Sequence, residues 1–306
     1  MIKIRSLRKK YKNLVAVRDL NLDIAEGDLF GFIGPNGAGK TTTIKILATL
    51  LQPDGGSAWV DGHSVKTSGH RVRQSIGYMP DFFGIYDEMT VTEYLSFFGA
   101  AYGIKPNARR VIIDDVLELT DLAEKRDALI QNLSRGMQQR LGLARVLVHD
   151  PQVLLLDEPA SGLDPRARIE MKALLQELQN MGKTILISSH ILTELAQLCN
   201  KIGIIEKGEL IYSGTIEEVV TQMQGGRRIQ VSVRGDMESA HRVLLELGIT
   251  SIEQTNGYLS AEVSFKLDLA DISTALFKAG LPVTRLHEEE LQLEDVFMSV
   301  TEGGVQ

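Results

Sequence analysis

The sequence predicts an α/β protein, with a mostly parallel sheet in its first two thirds and a small α+β domain behind it. Three observations carry that expectation. Short, nearly continuous apolar runs alternate with helical stretches up to about residue 222. A glycine-rich loop of fixed spacing joins one such run to a helix. From QGGRR (224–228) onward the strands become polarity-alternating and the connections change.

Composition sets the outer bounds. With 306 residues, 43% hydrophobic and 24% charged, the chain can bury a sizeable core in one large or two ordinary domains. A formal net charge of −7 argues against a surface that coats nucleic acid, so no nucleic-acid partner is expected. The single Cys199 excludes an internal disulfide and fits a reducing compartment. No run approaches the roughly 20 apolar residues that cross a bilayer. MIKIRSLRKKYKNL carries charge with no apolar run behind it, unlike a secretory signal, so the cytoplasm is the expected location.

Taken in chain order, DLFGFIG (28–34), QVLLLD (152–157), TILISSH (184–190) and KIGIIEKG (201–208) are apolar and flanked by Gly, Pro or Asp. Strands buried on both faces of a parallel sheet have that composition. TVTE at 90–93 is a capping box for the helix that follows, and MKALLQELQNMG (171–182) is a helix with a glycine stop. The first domain is expected to span 1–222, with a helical subdomain at about 84–148.

Residues 225–306 read as an accessory domain: strand IQVSVR (229–234), a helix to about 248, strands ITSIEQ and YLSAEVSF, a helix near 268–279 and strand LPVTRL (281–286). The Asn256-Gly257 pair is a two-residue hairpin signal, and Leu259, Ala261, Val263 and Phe265 alternate onto one face. The order β-α-β-β-α-β is a split-βαβ arrangement. A last helix, LQLEDVFMSV, aligns Leu293, Val296, Phe297 and Val300 on one stripe.

The chemistry begins at GPNGAGKT: Gly34, Pro35, Asn36, Gly37, Ala38, Gly39, Lys40 and Thr41, followed by Thr42. It matches G-x-x-x-x-G-K-[ST] at every fixed position, between the strand LFGFI and the helix TTIKILATLL. Glycines let backbone N–H groups converge on a phosphate, Lys40 reaches the β/γ oxygens, and the Thr41 hydroxyl suits Mg²⁺. A nucleoside triphosphate and Mg²⁺ are therefore expected to bind here. LLLDEP then delivers Asp157 and Glu158 to the carboxyl edge of the sheet, Asp157 for Mg²⁺ and Glu158 to polarise the attacking water. His190 closes TILISSH at the same edge, where contact with the γ-phosphate is expected.

LSRGMQQR (133–140) has Ser134 as a helix cap and Gly136 in the first turn, where glycine costs about 0.5–1 kcal/mol relative to alanine. A helix N-terminus is an anion site, so a close backbone approach is one reason for that glycine.

These pieces, in this order, resemble the nucleotide-binding subunit of ATP-binding cassette (ABC) transporters over residues 1 to about 220. Tyr11 resembles the aromatic that stacks on adenine, GPNGAGKT the Walker A loop, IGYMPD (76–81) the segment reaching the Q-loop, and LSRGMQQR the signature. VLLLDEP resembles the Walker B strand, SGLD (161–164) with Asp164 the D-loop, and His190 the switch histidine. The resemblance implies an ABC-cassette fold of the P-loop NTPases, a dimer of identical or related cassettes, and a membrane permease to which the subunit is bound peripherally. In such dimers, serine and glycine of the signature meet the γ-phosphate held by the other protomer, which gives Gly136 a reason to lack a side chain. Arg135 replaces the first signature glycine, and its charge would attract a phosphate. Asp81 stands where the family has glutamine, and a carboxylate accepts a hydrogen bond but donates none.

Tyr78, Phe82, Phe83, Tyr86, Tyr94, Phe97, Phe98 and Tyr102 crowd into one segment, either as core or as a groove for a partner's helix. The family docks its permease beside this segment, so Phe82, Phe83 and Tyr86 are the candidate exposed anchors. QLEDVFMSVTEG is similar to the ending of subunits that serve ABC-2-type exporters; a small-ligand sensor is the alternative for the last domain. A cassette ATPase acting on ribosomes or DNA is the competing function. Such proteins generally carry two cassettes or a long insertion, whereas Lys40 and Ser134 are 94 positions apart here. A GTP switch would need Asn-Lys-x-Asp, and Asn200-Lys201 continues Ile-Gly.

Overall fold

Alternating polarity along IKIRSLRKKY and LVAVRDLNLDI builds the first hairpin. Strands β1 (Ile2–Tyr11) and β2 (Leu14–Ile24) pair antiparallel and turn Ile2, Ile4, Leu7, Val17, Leu20 and Leu22 into the core. With β4 (Gly55–Val60) and β5 (His63–Ser64) they form an antiparallel sheet of order β2-β1-β4-β5. The computed structural model describes residues 1–288 apart from positions 83, 85, 217, 219–226, 256, 265 and 266. It divides into two compact units, Met1–Ile216 and Glu217–Gln306.

The continuous apolar runs form the second sheet of the first unit. Its strands are β3 (Leu29–Ile33), β6 (Ile76–Met79), β7 (Val153–Asp157), β8 (Thr184–Ser189), β9 (Lys201–Glu206) and β10 (Glu209–Gly214), in the order β10-β9-β3-β8-β7-β6. All neighbours are parallel except β10, so the sheet is mixed. Every residue of β3, β7 and β8 is buried, as strands covered on both faces must be. Register sets Ile33 beside Ser189 and Asp157 beside Ser188. The loops after β3, β7 and β8 therefore leave the sheet at one edge, where ligands of such sheets bind.

Helices α1 (Lys40–Leu47) and α2 (Gly69–Ser75) belong to this α/β body, as do α6 (Pro165–Asn180) and the short α7 (Leu192–Ala196). Between them in sequence, α3 (Val91–Ala101), α4 (Pro106–Leu119) and α5 (Arg135–Leu147) make the helical part. The capping box of α3 is present: Glu93 N–H donates to Thr90 Oγ1 at 3.2 Å and Thr90 N–H to Glu93 Oε2 at 2.8 Å. Helix α6 starts earlier than MKALL, because Asp164 caps it and Pro165 is preorganised for the first turn.

The second unit has the order β11 (Arg227–Val233), α8 (Met237–Glu246), β12 (Ile252–Thr255), β13 (Tyr258–Val263), α9 (Leu269–Lys278), β14 (Val283–Glu288). Its sheet runs β12-β13-β11-β14 with every pair antiparallel, the strand order of a split-βαβ fold. Leu259, Ala261 and Val263 join Ile229, Val231, Leu244, Ile272 and Leu276 in its core. Asn256, Phe265 and the terminal stripe Leu293, Val296, Phe297 and Val300 lie outside the described residues.

Candidate active site

The loop between β3 and α1 is shaped by its glycines, two of which have no room for a side chain: a Cβ at Gly34 would stand 2.2 Å from the Ile205 carbonyl oxygen. Gly39 adopts φ +110°, and a Cβ there would stand 2.5 Å from the Ala16 carbonyl oxygen. Lys40, the first residue of α1, is 6% exposed, and its ammonium donates to the Gly34 carbonyl at 2.6 Å and the Pro35 carbonyl at 3.3 Å. Burial lowers its pKa, while the carboxylates of Glu158 and Asp157 work in the opposite direction.

The end of β7 supplies those carboxylates. Asp157 is buried, and its Oδ1 accepts from Ser188 Oγ at 2.7 Å and from Thr41 Oγ1 at 3.2 Å. Ser188 also accepts from the Glu158 N–H at 3.0 Å, so one hydroxyl fixes both acidic residues. Glu158 has φ +52°, a left-handed conformation that costs a non-glycine residue roughly 1–2 kcal/mol. That turn leaves its carboxylate 3.6 Å from Lys40 Nζ and 2.9 Å from His190 Nδ1. Nearby, burial and the Asp157 carboxylate push the Tyr78 phenol up to about 12, so it keeps its proton.

These groups border one open cavity of about 360 Å³. Tyr11, Asn36, Gly37, Ala38, Gly39, Lys40, Thr41, Thr42, Asp81, Glu158 and His190 all line it. Gly34 and Pro35 contribute through the carbonyls that hold Lys40, and Asp157 sits behind Thr41. Ser161, the first residue of the SGLD segment, also lines the cavity, as do Leu14 and Ala16, which sequence reasoning did not single out. Ser188 was missed as well; its only signal was the polar pair Ser188-Ser189 closing an otherwise apolar strand.

The signature residues and Asp164 are not among the lining of this cavity. Ser134 caps α5, its Oγ accepting from Met137 N–H at 3.3 Å. The Arg135 guanidinium lies over Gly162 and donates to the Ser161 carbonyl at 3.3 Å, so its charge is directed at segment 161–164 of its own chain. Gly136 has a reason within the chain to lack a side chain: a Cβ there would be 2.9 Å from Ala167 Cβ on α6. Asp164 Oδ1 accepts from the N–H groups of Arg166 and Ala167, both at 3.0 Å.

The aromatic segment divides between core and surface. Tyr94 is fully buried, and its ring meets Phe98 edge-on at 5.0 Å. Phe82 is 89% exposed and Tyr86 53%, whereas Phe83 lies outside the described residues.

A glycine-rich strand–loop–helix whose lysine faces two strand-end carboxylates defines a P-loop nucleoside triphosphatase. Residues 17–161 match the family model described as ABC transporter, and residues 214–301 the one described as ATP-binding protein DrrA1-3-like, C-terminal domain. Nod factor export ATP-binding protein I of Ralstonia nicotianae is 34% identical, with 98% of this chain and 94% of the relative covered. Daunorubicin resistance ATP-binding protein DrrA3 of Streptomyces coeruleorubidus is also 34% identical, over 98% and 95%. Linearmycin resistance ATP-binding protein LnrL of Bacillus subtilis is 30% identical, over 98% of each chain. Among solved structures, the ATP-binding cassette MJ0796, a post-hydrolysis dimer bound to ADP and Pi, superposes with TM-score 0.64 at 25% identity over 71% of this chain and 99% of that one. The cbiO1 subunit of Clostridium perfringens superposes with TM-score 0.65 at 28% identity, over 81% and 95%. The chain belongs to the ABC transporter family as an ATP-binding, ATP-hydrolysing subunit. Among the described residues no helix is long and apolar enough to cross a membrane.

Proposed function

We propose that this chain hydrolyses ATP as one of two cassettes that close around two nucleotides, and that this closure drives a separate transmembrane permease working as an exporter. The observation that carries the proposal is the Glu158 carboxylate at the mouth of the glycine loop, hydrogen-bonded to His190 and ion-paired with Lys40. The loop N–H groups and Lys40 hold the β- and γ-phosphates, and Tyr11 at the cavity rim takes the adenine. Glu158 accepts a proton from the attacking water, and His190 holds that carboxylate in place. Thr41 and Asp157 place two hard oxygen donors together, a set that fits Mg²⁺, and they would hold the ion. Mg²⁺ supplies charge neutralisation at the phosphates when bound.

Dimerisation is supported by the dimeric MJ0796 cassette, and by a cavity that Ser134 and Asp164 of the same chain do not line. In the proposed dimer, Ser134, Gly136 and Asp164 of the partner subunit approach the γ-phosphate across the interface, while Arg135 braces segment 161–164 of its own chain. The partner is a second copy or a related cassette. Export is supported by the relatives named for Nod factor export and for drug resistance. Phe82 and Tyr86 are the exposed anchors proposed for the permease, which would hold the subunit at the inner face of the membrane. The test is the Glu158→Gln chain with MgATP in sedimentation velocity, followed by affinity capture from detergent-solubilised membranes. Nucleotide-dependent dimers and recovery of a polytopic membrane protein are expected. A monomer at saturating MgATP, both alone and in the captured assembly, would overturn the sandwich.

A further inference from the structure

Segment 161–164 lies between Glu158 and the start of α6, and arginines hold it at two carbonyls. Arg135 reaches Ser161 O, as described above. Arg168, in the first turn of α6, donates from Nε to Leu163 O at 3.0 Å. The same guanidinium pairs through Nη1 with Glu194 Oε1 at 2.8 Å. Glu194 belongs to α7, which begins two residues after His190. One turn along α6, Lys172 Nζ donates to Oε1 of Gln197, just past the end of α7, at 3.4 Å, a second tie between the two segments. At the other end of α7's approach, Ile191 N–H donates to Ser189 Oγ at 3.0 Å, which leaves His190 little freedom to shift without α7.

The side chains of Arg168 and Glu194 are 42% and 23% exposed. Glu194 Oε1 itself is shielded, but both side chains keep access to water, so the pair adds little to stability and its consequence is geometric. Only arginine has a planar fork that serves a backbone carbonyl and a carboxylate at once. We propose that Arg168 is a positioning residue: it couples segment 161–164 to the His190-bearing segment, so that a displacement of either is felt at the Glu158–His190 pair. The inference rests on the roles proposed above for Glu158 and His190. It adds a residue outside the lining of the glycine-loop cavity that acts through His190.

The test uses the full chain in steady-state ATPase assays over a range of ATP, with binding of a fluorescent ATP analogue and thermal melting measured in parallel. Arg168→Met is expected to lower kcat by about tenfold or more, while KM and analogue affinity stay at the parent value, as for an interaction felt only in the reacting complex. Glu194→Gln keeps the shape and removes the charge, and it should lower kcat in the same direction. Arg168→Lys can keep one contact but not both, so it should not restore the parent rate. Because Arg168 acts through His190, Arg168→Met in a His190→Ala background should cost less than about a further twofold.

Parent-like kcat in both Arg168→Met and Glu194→Gln would overturn the inference, as would a full multiplicative loss in the double variant. Where Arg168→Met does not fold, Glu194→Gln decides alone. If Glu158→Gln itself turns over at the parent rate, the proposed function has failed instead. If Glu158→Gln is inactive and Arg168→Met is not impaired, only this inference has.

Discussion

Nδ1 of His190 lies 2.9 Å from Oε2 of Glu158, while the other carboxylate oxygen of Glu158 is 3.6 Å from the Lys40 ammonium. The carboxylate is thus suspended between an imidazole and a cation. A neutral imidazole facing a carboxylate donates from Nδ1, so Nε2 is left as the acceptor on the half-exposed side of the ring. Removing either partner should release Glu158 toward the other.

Glu158→Gln keeps the left-handed backbone at this position and the side-chain volume, but removes the base. Turnover should fall by roughly 10²–10⁴-fold with nucleotide binding retained, the usual worth of a general base. Phosphate release in single-turnover conditions checks it. An unchanged rate would take Glu158 out of that role.

His190→Ala leaves the Glu158 carboxylate with the Lys40 ammonium as its one polar partner among the described residues, and the carboxylate should swing toward it. A drop in kcat of about tenfold or more is expected, with KM little changed, because a small misplacement of a reacting group is costly. His190→Gln retains an amide donor for Glu158 and should recover part of the loss. Equal rates in the two variants would show that the hydrogen bond to Glu158 is not what matters.

Gly136→Ala sets two effects against each other. Alanine gains roughly 0.5–1 kcal/mol of helix propensity over glycine. Overpacking against a neighbour that cannot rotate away costs about 1–3 kcal/mol. Because the new methyl would stand 2.9 Å from Ala167 Cβ, overpacking wins and the variant should melt lower. Ala167→Gly opens the space, so the double variant should recover stability relative to Gly136→Ala. A Gly136→Ala chain as stable as the parent would place the reason for glycine wholly outside this chain, at an approaching ligand or partner.

Much of this was legible in the residues because period and spacing report local geometry. LFGFI, VLLLD and TILISS read as doubly covered strands, and the structure buries all of them. Thr90 and Glu93 read as a capping box and form one. What escaped were features set by contacts between distant segments. The β1–β2 hairpin and its antiparallel sheet have alternation that is easily passed over beside a dense basic run. Ser188 gains its importance only when register places it beside Asp157, thirty-one positions away. Arg135 was expected to address a phosphate, yet its neighbours Ser161 and Gly162 come from a loop that only the tertiary fold brings to it.

His149 yields a prediction about pH. Its ring stacks on Tyr102 with centroids 3.8 Å apart, and Nε2 is 2.9 Å from the Ile76 carbonyl, so the proton of the neutral ring belongs on Nε2. Nδ1 is then a buried acceptor with no partner among the described residues. Burial lowers the pKa below the ordinary 6.5; the Ile76 carbonyl and Asp150 oppose that shift, and Lys183 adds to it. The folded state therefore binds fewer protons than the unfolded state just below 6.5. The contribution of His149 to stability is complete above 6.5 and is lost as pH falls through the lower, folded value. His149→Gln removes the titration. Denaturation midpoints of parent and variant should accordingly converge between about pH 7.5 and about pH 5.5, and a difference that stays constant across that window would mean the folded protein accommodates the imidazolium without penalty.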